Sequence, residues 1–162
     1  MNATTRLLSE VSVGDELPPL AIELTRTVIV STAIASRDYQ DVHHDPGLAV
    51  ERGSDDIFMN ILSTNGFVGR YITDWTGPGG LIEKVAIRLG APNYPGDTMR
   101  LTGTVTAVDE APARRDGRGT VEIAVRGANG RGDHVTGTVR VALPVAADST
   151  VAAGSASLRP TP

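Results

Sequence analysis

A chain of 162 residues has the length of one ordinary domain and can bury a real core. With 40% hydrophobic and 21% charged residues it has the balance of a soluble globular protein, and a formal net charge of -4 leaves no basic surface for nucleic-acid phosphates. The absence of cysteine excludes disulfides, thiolate metal sites and a cysteine nucleophile, and it fits a reducing cytoplasm.

Met1 to Asp15 shows no basic segment leading into an apolar run, and no stretch approaches the roughly 20 apolar residues that span a bilayer. A cytoplasmic protein with no nucleic-acid or membrane partner is expected. Val13-Gly14-Asp15 to Pro19 reads as a turn launching a first strand over about Leu20 to Thr27. Helical spacing of Ile29, Val30, Ala33, Ile34 and Ala35 follows, over Val28 to Tyr39. Pro46 marks a loop, with a short helix beyond it. Asp56 is placed to cap a longer helix from near Ile57 to about Trp75, and Thr76-Gly77-Pro78-Gly79-Gly80 ends it. Gly66 and Gly69 within it suggest close approach of a sheet or ligand.

The second half reads as strands: Leu81 to Leu89, Thr98 to Val108, Gly119 to Arg126 and Val135 to Leu143, the last two joined by a turn over 127–133. Residues 1–144 form one domain in this reading. Residues 145–162, rich in Ala, Ser, Thr, Gly and Pro, are expected to be a disordered tail. Helices followed by a run of strands argue α+β, with a helix on one face of an antiparallel sheet.

The most polar short segment is Ser36-Arg37-Asp38-Tyr39-Gln40-Asp41-Val42-His43-His44-Asp45-Pro46, between a helix and a proline. A carboxylate from Asp38 and an imidazole from His43 could share one water as a general acid–base pair. By spacing alone, such residues more often serve only turns and caps. Adjacent His43 and His44 point apart on extended backbone, and no HExxH pattern is present, so no metal is expected. Asp133 and His134, in the hairpin, look structural.

Asp38-x-Gln40-Asp41-Val42-His43-x-Asp45-Pro46-x-x-Ala49 resembles the MaoC-type (R)-hydratase signature D-x-N-P-(L/I)-H-x-D-P-x-x-A. Gln40 stands for the usual Asn and Asp41 for the usual Pro. Val13-Gly14-Asp15 and Tyr94-Pro95-Gly96-Asp97-Thr98 are similar to flanking motifs of the same family, and the resemblance spans about Val11 to Leu143. It implies a hot-dog fold, a curved antiparallel sheet wrapped around a central helix. It also implies that Asp38 and His43 activate a water adding to a 2-enoyl-CoA. The oxyanion donor would be a backbone N–H at the start of that helix, where the family often has His-Gly and this chain has Met59-Asn60. Asn60 keeps the N–H; the backbone geometry that Gly tolerates is what the change puts in question.

Ala35 to Asp45, Asp56 to Leu62 and Arg70 to Pro78 further resemble the small catalytic subunit of heteromeric steroid enoyl-CoA hydratases. That likeness implies the C17(20) alkene of a pregnadiene-carboxyl-CoA as substrate. The implied partner is a second MaoC-like chain with a zinc-ribbon and OB-type acyl-CoA-binding region, in a heterodimer or heterotetramer, with an aldolase acting next. No cofactor is implied beyond the coenzyme A of the substrate. Phe58, Met59, Tyr71 and Trp75 are candidates to line the substrate, although apolar residues on a central helix are mostly core. Arg88 and Arg100 are weak candidates for CoA phosphates. A hydratase of simpler acyl thioesters, a hot-dog thioesterase and a non-catalytic hot-dog subunit are the alternatives.

Overall fold

The computed structural model describes residues 4–109 and 117–145; the tail expected to be disordered lies almost wholly outside them. Five antiparallel strands form one sheet: β1 (Glu16–Glu23), β2 (Leu81–Leu89), β3 (Thr98–Asp109), β4 (Arg118–Asn129) and β5 (Gly132–Pro144), in the order β1-β3-β4-β5-β2. Three helices, α1 (Arg26–Ala35), α2 (Pro46–Glu51) and α3 (Ile61–Thr76), lie between β1 and β2 in the chain. The element types follow the expected order, and a sheet packed along one long helix is the expected α+β arrangement.

Strand alternation sets which side of the sheet meets α3. Met99, Leu101 and Val105 of β3, Val121, Ile123 and Val125 of β4, and Val139 and Val141 of β5 are buried. They pack in one core with Val68, Tyr71, Ile72 and Trp75 of α3. The β4–β5 connection is tighter than expected, since Asn129 and Gly132 still pair and only Gly130-Arg131 turn between them. β1 starts earlier than expected, at Glu16, with an irregularity at Pro18-Pro19 that an edge strand can carry.

Two further expectations need correction. Residues 57–60 are not helical. Phe58 N–H donates to Val42 O (3.2 Å) and Met59 N–H to Asn93 O (3.0 Å), so the segment is an extended link stitched on both sides. Ile57 and Met59, both buried, alternate at period two there, and a spacing of four between Ile57 and Ile61 fits strand and helix alike. Asp56 therefore does not cap α3; it pairs with Arg26 (2.6 Å) and accepts from Ile57 N–H (2.7 Å). The cap is Asn60, whose Oδ1 accepts from Ser63 N–H (2.8 Å). No strand approaches Gly66 or Gly69: among the described residues, a Cβ at either would find no atom within 4 Å beyond the neighbouring turns of α3. At the other end of α3, Gly77 has φ 72°, and a Cβ there would strike the Thr4 carbonyl, which explains why glycine ends this helix.

Candidate active site

The signature loop is built by two helix ends. After α1, Arg37 N–H donates to Ile34 O (3.0 Å) and Asp38 N–H to Ala33 O (2.9 Å), the two crossed bonds of a Schellman ending. Its left-handed position is held by Arg37 (φ 58°), where glycine is usual, at a cost of about 1 kcal/mol. That turn brings Asp38 back over the end of α1. On the far side, Asp45 caps α2 through Leu48 N–H (3.0 Å), Pro46 takes its first position and Ala49 is fully buried. Asp45, Pro46 and Ala49 of the signature thus build the loop's exit. Asp41, in place of proline, pairs with Arg52 (2.6 Å) and pins the loop.

Asp38 and His43 are brought together as the signature implies. His43 is 6% exposed, and its Nδ1 lies 2.7 Å from the Phe58 carbonyl oxygen. A carbonyl can only accept, so the Nδ1 carries a proton; His43 Nε2, the nitrogen left bare whenever the ring is neutral, faces Asp38 Oδ2 at 3.4 Å. A carboxylate and a bare imidazole nitrogen cannot hydrogen-bond each other. A molecule with two O–H donors satisfies both, and water is the smallest.

Asn60 ties this pair to α3. Its Nδ2 donates to Asp38 Oδ2 (2.9 Å) and to Ser36 Oγ (3.1 Å), while its Oδ1 accepts from the N–H and hydroxyl of Ser63. One buried amide therefore caps the helix and aims the carboxylate. The Asn60 hydrogen bond holds the Asp38 carboxyl below its ordinary 3.8, against desolvation, with further help from Gln40 N–H and His43. Asn60 sits at φ -78° and ψ 164°, ordinary extended backbone, so this site needs no glycine conformation. Its N–H, at the start of a 16-residue helix, lies where the helix dipole favours negative charge.

A cleft of about 330 Å³ opens over these groups, lined by Asp38, Gln40, His43, Phe58, Met59, Asn60, Ile61, Leu89 to Pro92 and His134. Phe58 and Met59 are in it, and the Phe58 ring stands edge-on to His43 at 4.9 Å. Tyr71 and Trp75 are not. They line a separate hollow of about 310 Å³ with Arg6, Pro18, Pro19, Leu20 and Asp74, ten residues or more down α3 and therefore about 15 Å away. Arg88 and Arg100 are exposed on strands and absent from the cleft lining. His134, read as structural, is in the lining; no local pattern marks it, because its neighbours there come from distant parts of the chain. Among the described residues no cluster of three or more His, Cys, Asp or Glu is placed to hold a metal ion, and no helix is long and apolar enough to cross a membrane.

A five-stranded antiparallel sheet packed on one long helix, with Asp38 and His43 at that helix's N-terminus, is the arrangement that the hydratase signature implies. No protein-family profile matches the chain. The 3-oxo-4,17-pregnadiene-20-carboxyl-CoA hydratase beta subunit of Mycobacterium tuberculosis is 49% identical over 131 residues, which are 81% of this chain and 95% of that protein. A chain of the crystallised ChsH1-ChsH2 complex from the same organism superposes with a TM-score of 0.73 at 49% identity, covering 82% of this chain and 98% of that one. The (R)-hydratase PhaJ1 of Pseudomonas aeruginosa shares the fold, with a TM-score of 0.73, 19% identity and 86% of each chain covered. So does a MaoC-like dehydratase of Rhodospirillum rubrum (TM-score 0.74, 22% identity, 86% and 97% covered). The chain belongs to the family of the 3-oxo-4,17-pregnadiene-20-carboxyl-CoA hydratase beta subunit, and it has the hot-dog fold of the MaoC-like (R)-hydratases.

Proposed function

We propose that this chain is the catalytic subunit of a heteromeric enoyl-CoA hydratase that adds water across the C17(20) alkene of a steroid pregnadiene-carboxyl-CoA. The observation that carries the chemistry is the 3.4 Å approach of Asp38 Oδ2 to His43 Nε2, with Phe58 O taking the Nδ1 proton and so making Nε2 the basic nitrogen of the neutral ring. A water held there donates one O–H to each group. As its oxygen bonds to Cβ, the Asp–His pair takes up one proton, and the resulting imidazolium would be stabilised by the Asp38 carboxylate beside it. Electron density moves through Cα onto the thioester oxygen, where the Asn60 N–H and the positive end of α3 oppose the developing charge. Return of the proton from the pair to Cα completes the net addition of one water.

The substrate reading rests on the 49% identity to a subunit whose name states that substrate, and the heteromeric reading on the complex in which the similar chain was crystallised. Physical size agrees: a cleft of about 330 Å³ lies at the small end of the roughly 300–1,000 Å³ that ligand pockets span, so a steroid nucleus would need walls from a second chain. That partner is inferred to be a second MaoC-like chain with a zinc-ribbon and OB-type region, and an aldolase would consume the 17-hydroxy thioester. A cytoplasmic setting fits a CoA thioester substrate.

The test is hydration of the steroid enoyl-CoA against crotonyl-CoA, by this chain alone and with its co-expressed partner. Steroid turnover only in the complex, lost in His43→Ala, is the expected result. Crotonyl-CoA turnover by the chain alone would leave a general (R)-hydratase, and no turnover of either thioester by the complex would sink the enzymatic reading.

A further inference from the structure

His134 stands near the head of β5, 43 residues from Ala91 and 70 from Thr64 in the chain, and bonds to both. It is 2% exposed, with its Nδ1 2.7 Å from Ala91 O and its Nε2 2.9 Å from Thr64 Oγ1. Because the Ala91 carbonyl only accepts, Nδ1 carries the proton; the neutral ring then accepts at Nε2, and the Thr64 hydroxyl must donate. Burial lowers the tendency of this ring to protonate, against the Ala91 hydrogen bond, in keeping with that pairing.

Thr64 is fully buried one turn into α3, and its backbone N–H donates to Asn60 O (3.2 Å); its Oγ1 lies 3.2 Å from the same oxygen, but its single proton goes to His134. On the opposite wall, Gly90 N–H donates to His134 O and Ala91 N–H to Asp133 O, both at 2.8 Å. A side chain at Gly90 would run into the Asp133 carbonyl, so this wall lies directly against β5. The ring of His134 is therefore a strut between the two sides of the cleft, the Gly90–Pro92 wall and the first turn of α3.

We propose that His134 and Thr64 are a positioning pair for the hydration, in which the hydrogen-bond chain Ala91–His134–Thr64 sets where Asn60 meets Asp38 and the thioester oxygen. This rests on the function proposed above. Neither residue touches the reacting atoms; both act through Asn60, whose side chain aims Asp38 and whose N–H faces the oxyanion. A drift of about 1 Å at such a donor can cost on the order of 100-fold in rate.

Thr64→Val keeps the shape and removes the donor to Nε2, Thr64→Ser keeps the donor, and His134→Gln keeps one donor and one acceptor. Each variant is assembled with its partner chain; kcat and KM for hydration are measured, together with the backbone amide resonance of Asn60. Thr64→Val is expected to lower kcat about 10–100-fold with KM changed less than about threefold, and to move the Asn60 amide. Thr64→Ser should restore both readouts. The double variant Thr64→Val/His134→Gln should be no slower than the slower single one, because the two residues act in one chain.

Wild-type kcat in Thr64→Val with an unmoved Asn60 amide would overturn the proposal and leave His134 a buried histidine satisfied by its neighbours. Multiplicative losses in the double variant would overturn it too. Asp38→Asn and His43→Ala serve as controls: their full activity would sink the hydratase mechanism itself, while the Asn60 amide still decides whether the strut exists.

Discussion

The two ends of α3 hold hollows of nearly equal size and opposite character. At the N-terminal end, about 330 Å³ is walled by Asp38, His43, Asn60 and His134; at the C-terminal end, about 310 Å³ is walled by prolines, Leu20, Tyr71 and Trp75, with Arg6 and Asp74. At the C-terminal end the polar groups are spent on the fold. Arg6 stacks over Trp75 at 4.8 Å, its Nε donates to Trp75 O (3.4 Å) and its backbone N–H to Thr76 O (2.8 Å). A cation is thereby placed where the helix dipole is negative. Burial pushes the Tyr71 phenol up to about 12, and its hydroxyl donates to Leu17 O. At the N-terminal end, Asp38 and His43 are held by neighbours on their outer sides and face each other at 3.4 Å on the wall of the cleft. Volume alone does not separate the two hollows; the orientation of their polar groups does.

Five substitutions can break or sharpen that contrast. The largest effect is expected from His43→Ala or Asp38→Asn, with hydration falling about 10²–10⁴-fold while assembly with the partner is unchanged by size-exclusion chromatography. Next comes Trp75→Ala, which should cost about 3 kcal/mol of stability in denaturant unfolding. It should leave kcat within about threefold when measured well below the melting temperature, and a loss as deep as that of His43→Ala would make the far hollow part of the active site.

Asn60→Ala removes a cap worth about 1 kcal/mol and also frees the Asp38 carboxyl. The sign follows from the depressed Asp38 value: the wild-type carboxylate contributes stability that is complete above its ordinary 3.8 and lost as pH falls through its lower folded value. Carbon-13 NMR titration of Asp38 should therefore show its midpoint rising in Asn60→Ala, and an unmoved midpoint would remove Asn60 as its anchor. The smallest effect belongs to Arg37→Gly. Relief of left-handed strain of about 1 kcal/mol is partly offset by the chain entropy of glycine, leaving a gain of roughly 0.5 kcal/mol. Loss of both stability and activity there would mean that the Arg37 side chain does more than occupy the turn.

Much of the site was legible because it is local. Asp38, His43, Asp45, Pro46 and Ala49 lie within one short segment, where backbone turns and caps decide geometry, and residue types at fixed offsets report those turns directly. Residues that depend on the packing of distant segments were less legible. The spacing of Ile57 and Ile61 could not distinguish the last residues of an extended link from the first turn of a helix, and only the bonds from Phe58 to Val42 and from Met59 to Asn93 settle it. Tyr71 and Trp75 share a helix with the cleft, but its length carries them to the other end of the molecule.

By itself the sequence determined the order of elements and the buried face of β3, which follow from backbone periodicity, while Asp38 and His43 were picked out by the likeness of their segment to a known signature and not by their spacing. Tertiary structure alone decided that Asn60 rather than Asp56 caps α3, that its amide reaches Asp38, and that His134 enters the cleft. Those outcomes depend on contacts across 16 to 70 residues, where which groups meet is set by the packing of sheet against helix and by no pattern within reach of the chain's local code.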